Sequence, residues 1–271
     1  MTAVTDIYAA ITEADVGVVE TLATAMEVSA ADEQHRDMVI RYLSDLDLPD
    51  RAQALEIGCG TGAIARTLAA WPGIRSVVGV DPSPILIEKG RVLAAGIDNL
   101  SFREGDGQRL AFPDSSFDLV VAHRVLSHIP APEPVLVEAF RVLRPGGSLA
   151  VFDGDYATIT VALGDPDPLQ TCVRAFAPAY ITDAWIARRL PAMVRAAGFV
   201  KERVRSHGYV QIDDPAYMLS IVARGADALV AAGRIGKPLA EALVAEAERR
   251  VEANAFFGHI GYVSLTAVKP A

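Results

Sequence analysis

The sequence predicts an α/β protein built on a mostly parallel sheet, and three observations carry that expectation. Between about Ala52 and Asp153, short apolar runs alternate with helical patterns. Parallel neighbours cannot be joined by a tight hairpin, so this alternation implies crossover helices. The apolar runs also lack a period of two, as strands buried on both faces do.

Taken in order, residues 18–46 read as two helices broken near Ser29 to Asp32. Residues 54–57 form a strand and 61–71 a helix, then 76–80 a strand and 85–95 a helix stopped by Gly96. Residues 100–103 and 117–122 are the third and fourth strands. The helix over 133–143 is closed by Pro145, Gly146 and Gly147, because glycine takes the left-handed cap and proline cannot continue the turn. Residues 148–152 are the fifth strand, and a loop-rich stretch runs over 154–179. A helix over 183–197, a strand over 201–210, helices over 215–232 and 238–255, and a last strand over 259–268 complete the chain. Residues 1–50 are expected as a helical cap, 51–212 with 257–271 as the core, and 213–256 as a helical insertion forming part of a substrate lid. Loops that follow parallel strands gather at the carboxyl edge of the sheet, and the added helices should roof that edge.

A chain of 271 residues buries enough surface to need no disulfide or metal staple. With 51% hydrophobic and 22% charged residues it is not a disordered chain. The net charge of −9 argues against nucleic acid, whose phosphates need a basic face. Two distant cysteines, Cys59 and Cys172, fit a reducing compartment, and no ligand spacing suggests a metal. The first residues lack a signal-peptide pattern and no apolar run is long enough to span a membrane, so a cytoplasmic protein is expected.

The run 55–62, Leu-Glu-Ile-Gly-Cys-Gly-Thr-Gly, places glycines directly between a strand and a helix. Glycine lets the backbone turn tightly and approach a ligand, while the helix start offers free N–H groups. Gly58, Gly60 and Ala63 also satisfy the dinucleotide pattern, with Asp81 at the distance of a ribose-binding acid, so a nicotinamide-dependent oxidoreductase stays open on spacing alone. The acids narrow the choice. Glu56 sits inside an apolar strand, where a carboxylate is costly without a cationic or donor partner. Asp81 at the second strand tip can accept from both ribose hydroxyls, and Asp106 at the third from an adenine amino group. Acids at three successive tips suit a cationic adenosyl ligand better than a pyrophosphate.

These runs, with Val-Gly-Val-Asp-Pro-Ser over 78–83, Glu-Gly-Asp-Gly-Gln over 104–108, the stretch 112–121 and Val-Leu-Arg-Pro-Gly-Gly over 142–147, resemble the class I S-adenosylmethionine-dependent methyltransferases. The small-molecule branch with ubiquinone and menaquinone methyltransferase-like enzymes is the nearest in pattern, over about Ala52 to Asp155. The resemblance implies a Rossmann-like seven-stranded sheet whose last strand is antiparallel, and transfer of a methyl group by in-line displacement, leaving S-adenosylhomocysteine. It implies that Gly58, Gly60 and Gly62 line the methionine part of the cofactor, with Cys59 between them. Asp81, followed by Pro82, takes the ribose, Asp106 and Gly107 the adenine, and His123 lies beside the sulfonium. It also implies Arg36 at the cofactor carboxylate, against a solvated helix arginine. A member of the same fold that binds the cofactor without methyl transfer is a further alternative.

For the acceptor side, His128 after the fourth strand is a candidate base, against a helix-capping role. Arg124 is a candidate to orient an anionic or carbonyl-bearing acceptor, against a surface ion pair. Asp155 and Tyr156 after the fifth strand are candidate acceptor contacts, against a local turn. A phenol, quinone precursor, polyketide or amine would suit such a site.

Overall fold

The computed structural model describes residues 6–271. Helices α1 (Val16–Ala31) and α2 (Glu33–Leu43) precede the sheet, and the break between them falls at Asp32. There the Asp32 carboxylate accepts from the His35 N–H at 2.9 Å and caps α2, as an aspartate at this position does. The strands are β1 (Ala52–Ile57), β2 (Ile74–Asp81), β3 (Leu100–Glu104), β4 (Phe117–His123), β5 (Leu143–Thr160), β6 (Val200–Gln211) and β7 (Gly258–Val268). Helices α3 (Ala63–Ala69), α4 (Pro84–Leu93) and α5 (Glu133–Val142) are the early crossovers. Later come α6 (Leu169–Tyr180), α7 (Ile186–Ala196), α8 (Ala216–Ala231) and α9 (Lys237–Glu252).

The seven strands lie in the order β3-β2-β1-β4-β5-β7-β6. The first five are parallel neighbours, and β7 runs antiparallel between β5 and β6. Alternate residues of each central strand feed opposite cores. Ala54, Leu119, Val121 and Phe152 pack on one face, while Leu55, Val120, Leu149 and Val151 pack on the other. Both faces being dry explains the absence of polar alternation in these strands.

Two elements depart from the sequence expectation. The loop-rich stretch expected over 154–179 is instead the end of β5 followed by α6. Strand β5 continues because β7 is long enough to pair it through Gly154 with Tyr262 and Asp155 with Gly261, resuming at Thr160 with His259 after an irregularity. A partner strand here overrides the turn preference of Gly and Asp, since strand formation depends on context. Helix α6 buries Leu169, Cys172, Val173 and Phe176, a helical spacing that the surrounding prolines concealed. Helix α8 lies close on α6: a Cβ added at Gly225 would stand 2.0 Å from the Cys172 carbonyl oxygen.

Helix α1 packs on α2, α3 and α4, and so covers the carboxyl edge near β1. Among the described residues no helix is long and apolar enough to cross a membrane, and no cluster of His, Cys, Asp and Glu is placed to hold a metal.

Candidate active site

The turn from β1 into α3 is built of backbone conformations that side chains resist. Gly58, Gly60 and Gly62 have φ of +66°, +53° and +78°. Asp81, at the tip of β2, fastens the turn from the neighbouring strand. Its Oδ2 accepts from the Gly60 N–H and its Oδ1 from the Ser83 N–H, both at 2.9 Å. Burial raises the Asp81 pKa, with those two N–H donors pulling the other way. An ionised carboxylate has roughly four acceptor positions, so two remain for a ligand.

Below the turn, Glu56 is 2% exposed and its Oε2 has no hydrogen-bond partner. Burial pushes its carboxyl well above the usual range and the Asp81 charge adds to this, opposed by the Ala65 N–H and by Arg66. Cys59 is buried too, and its thiol is pushed well up by that burial, which makes it a packing residue of the turn and not a nucleophile.

Helix α1 closes over the turn. Glu27 accepts from the Thr61 hydroxyl at 2.5 Å and from Arg66 Nη2 at 2.6 Å. Met26 reaches down so far that its sulfur lies 2.8 Å from where a Gly60 Cβ would stand. A ligand entering the turn has to displace this helix or its side chains.

At the tip of β4, His123 stacks on Phe152 with centroids 4.5 Å apart, and its Nδ1 lies 3.2 Å from the Tyr42 hydroxyl. Burial, then the charges of Arg124 and His35, hold the His123 pKa well below the ordinary value, so the ring is neutral. Arg124 follows with φ +57°, and its Nη1 donates to the Ser29 hydroxyl of α1 at 2.9 Å. Burial opposes the Arg124 charge, but Tyr262, Tyr156, Tyr217 and Tyr8 favour it and the net shift is upward. His128 ends a single 3-10 turn, Leu126–His128, with its Nδ1 2.8 Å from Asp6 Oδ2. Asp6 also accepts from the Thr182 N–H and hydroxyl, each at 2.9 Å. Burial works against ionised Asp6, yet His128 and Thr182 outweigh it and the pKa is lowered.

The structure thus brings Glu56, Gly58, Cys59, Gly60, Gly62, Asp81, His123, Arg124, His128 and Tyr156 to one edge of the sheet. Gly107 backs it, since a Cβ there would strike Ile57 at 2.5 Å. Pro82 and Asp106 are exposed at the neighbouring strand tips, where Asp106 accepts from the Gln108 N–H at 2.8 Å. One expectation needs correction. Arg36 is exposed on the outer face of α2, and its neighbour His35 takes the inward position. Asp155 Oδ2 accepts from Arg188 Nε of α7 at 2.9 Å, while its Oδ1 is buried with no hydrogen-bond partner. Residues not singled out from sequence are Asp6, Tyr8, Glu27, His35, Tyr42 and Tyr217. Helix periodicity marks Tyr42 as core, but nothing in the chain links Asp6 to a histidine 122 residues later.

Comparison with known proteins places this geometry. A model described as a methyltransferase domain matches residues 55–151. Demethylmenaquinone methyltransferase of Staphylococcus aureus is 30% identical over 190 residues, covering 64% of this chain and 78% of that protein. The YcgJ protein of Bacillus subtilis has the same fold, with TM-score 0.61 at 19% identity over 88% of this chain and 100% of its own. The 4+2 cyclase SpnF aligns with TM-score 0.54 at 25% identity over 88% of this chain and 81% of its own. The chain spans less than half the length of other curated relatives that it matches. By the match to its relative and the motifs around the glycine turn, the chain belongs to the class I S-adenosylmethionine-dependent methyltransferase family.

Proposed function

We propose that this protein transfers a methyl group from S-adenosylmethionine to a small-molecule acceptor. The observation that carries the proposal is the Gly58 to Gly62 turn, pinned by Asp81 above a Glu56 carboxyl whose Oε2 has no partner. The residues fit the cofactor. Glu56 Oε2 is an orphaned acceptor, suited to N–H groups of the methionine part. Any Cβ at Gly58 would lie 2.6 Å from Val125, so that turn can offer only bare backbone. Asp81 would hold the ribose through its remaining acceptor positions, and Asp106 with Gly107 the adenine.

The cofactor supplies a methyl group already activated by positive sulfur. The chain then has to align the acceptor and keep water out, and alignment is worth roughly 7–11 kcal/mol. Helix α1, held down by Glu27, supplies the exclusion. Where the acceptor must lose a proton, His128 takes it: Asp6 engages Nδ1 and leaves Nε2 as the free nitrogen. His123, neutral and stacked on Phe152, fills the space beside the turn without adding charge.

Asp81→Ala is expected to weaken S-adenosylhomocysteine binding by about 1.5–3 kcal/mol, the scale of hydrogen bonds to a charged group. Calorimetry on the folded variant measures this, and unchanged affinity would overturn the assignment of Asp81. A second reading keeps the bound cofactor but no methyl transfer, and the likeness to a 4+2 cyclase favours it. Label from methyl-labelled cofactor appearing in a small-molecule product decides for transfer.

A further inference from the structure

We propose that the acceptor is an acid, a small molecule whose carboxylate or phosphate sits between Arg124 and Arg224 beside a cluster of tyrosines. The proposal rests on the methyltransferase reading and deepens it. Arg124 leaves the tip of β4 in a left-handed conformation that a non-glycine residue adopts only when its surroundings enforce it. Its guanidinium carries five N–H donors, of which Ser29 takes one. Tyr262 lies under it, with the ring centroid 5.9 Å from Cζ. Stacking leaves the in-plane N–H groups unspent.

Arg224 repeats the arrangement. Its Cζ stands 4.1 Å from the Tyr180 ring centroid and 4.8 Å from that of Phe176, and Gly225 beside it is clamped on α6. Among the described residues neither Arg124 nor Arg224 meets a carboxylate in a salt bridge. In a chain of net charge −9, where acids outnumber bases, that is not for want of carboxylates. Arg66, Arg141, Arg188, Arg203 and Arg250 all pair with one. A cation withdrawn from water without a counter-charge is costly, and a ligand anion removes the cost.

Tyrosines run from one arginine toward the other: Tyr262 lies under Arg124, and its ring and that of Tyr217 on α8 each stand 6.2 Å from the Tyr209 ring. Tyr8 feels the charge of each. Tyr217, one of the tyrosines around Arg124, precedes Arg224 by seven residues on α8, which is two turns along one face. His128 stands beside Tyr8, with their rings 4.6 Å apart.

The test is calorimetry on the full chain loaded with S-adenosylhomocysteine, in buffer free of phosphate. The probes are benzoate, 4-hydroxybenzoate and hexanoate in one arm and phenyl phosphate in a second, with benzamide, 4-hydroxybenzamide and hexanamide as neutral controls. At least one anion is expected to bind tenfold or more tightly than its amide, or, for phenyl phosphate, than benzamide, and the arm it belongs to distinguishes carboxylate from phosphate. Arg224→Met should abolish that preference and Arg224→Lys restore part of it, while S-adenosylhomocysteine affinity stays within twofold. Amides binding as well as acids, no anion binding at all, or a preference that survives Arg224→Met would each overturn the proposal. Failure of the wild type to bind S-adenosylhomocysteine would instead overturn the methyltransferase reading.

Discussion

Gly62→Ala is expected to destabilise the protein by about 2–5 kcal/mol, the sum of a backbone and a packing penalty. Gly62 caps α3 with φ +78°, a left-handed conformation in which the Cβ of an alanine crowds the following carbonyl oxygen. The new Cβ would also lie 2.3 Å from Phe102 Cζ. Aromatic rings often swing aside, but this one is hemmed in. A Cβ position at Gly79 is 2.9 Å from Phe102 Cδ1, and one at Gly90 is 3.3 Å from its Cε1. Three glycines on β2, α3 and α4 therefore clasp one ring of β3, and the strain passes into the turn that Asp81 holds. Urea unfolding measures the loss. Phe102→Leu in the Gly62→Ala background should recover part of it, because a smaller side chain frees the space but not the φ. An unaltered unfolding midpoint for the single variant would refute this packing account.

The same turn shows why so much of the core was legible. Its strand, its glycines and the acid on the next strand are local patterns whose spacing is set by one βαβ unit. The end of β5 was not legible, because Gly154 and Asp155 read as a turn unless β7, a hundred residues on, is known to lie beside them. Helix α6 has an apolar period, but it starts directly after the proline-rich run Asp165 to Pro168, which reads as a turn. On the acceptor side the failure is of another kind. Arg36 and His35 are adjacent, and which of them faces inward depends on how α2 rolls against β6 and β7. Asp6, His128 and Thr182 meet only because Asp6 lies against the 3-10 turn Leu126–His128, a contact that no spacing encodes. Sequence thus locates the glycine turn and its acids, and tertiary packing alone brings together the residues beside them.

His35 should make the protein acid-sensitive in a defined window. The ring is 7% exposed, and its centroid lies 4.4 Å from that of Tyr209 and 5.4 Å from that of Tyr262. Burial, then the positive charge of Arg124, lowers its pKa from 6.5 to about 4, with Asp32 opposing. Because the folded value is the lower one, the unfolded chain takes up a proton first as the pH falls. Stability is therefore full above about pH 6.5, declines down to about pH 4 and is level below it, a total of roughly 3 kcal/mol. His123, also buried neutral, acts in the same direction. Glu56, Asp81 and Asp153 act in the opposite one, since burial raises their folded pKa values and acid relieves the cost of their charge. The wild-type profile alone mixes these contributions, but His35→Phe separates them. A phenyl ring keeps the stacking on Tyr209 and the capped N–H of residue 35, and it has no proton to bind. Chemical unfolding of both proteins from pH 7 to pH 4 should show the variant gaining about 3 kcal/mol over the wild type as the pH falls. A gap that stays constant across that range would mean that His35 protonates as easily folded as unfolded, and that Arg124 exerts no repulsion on it.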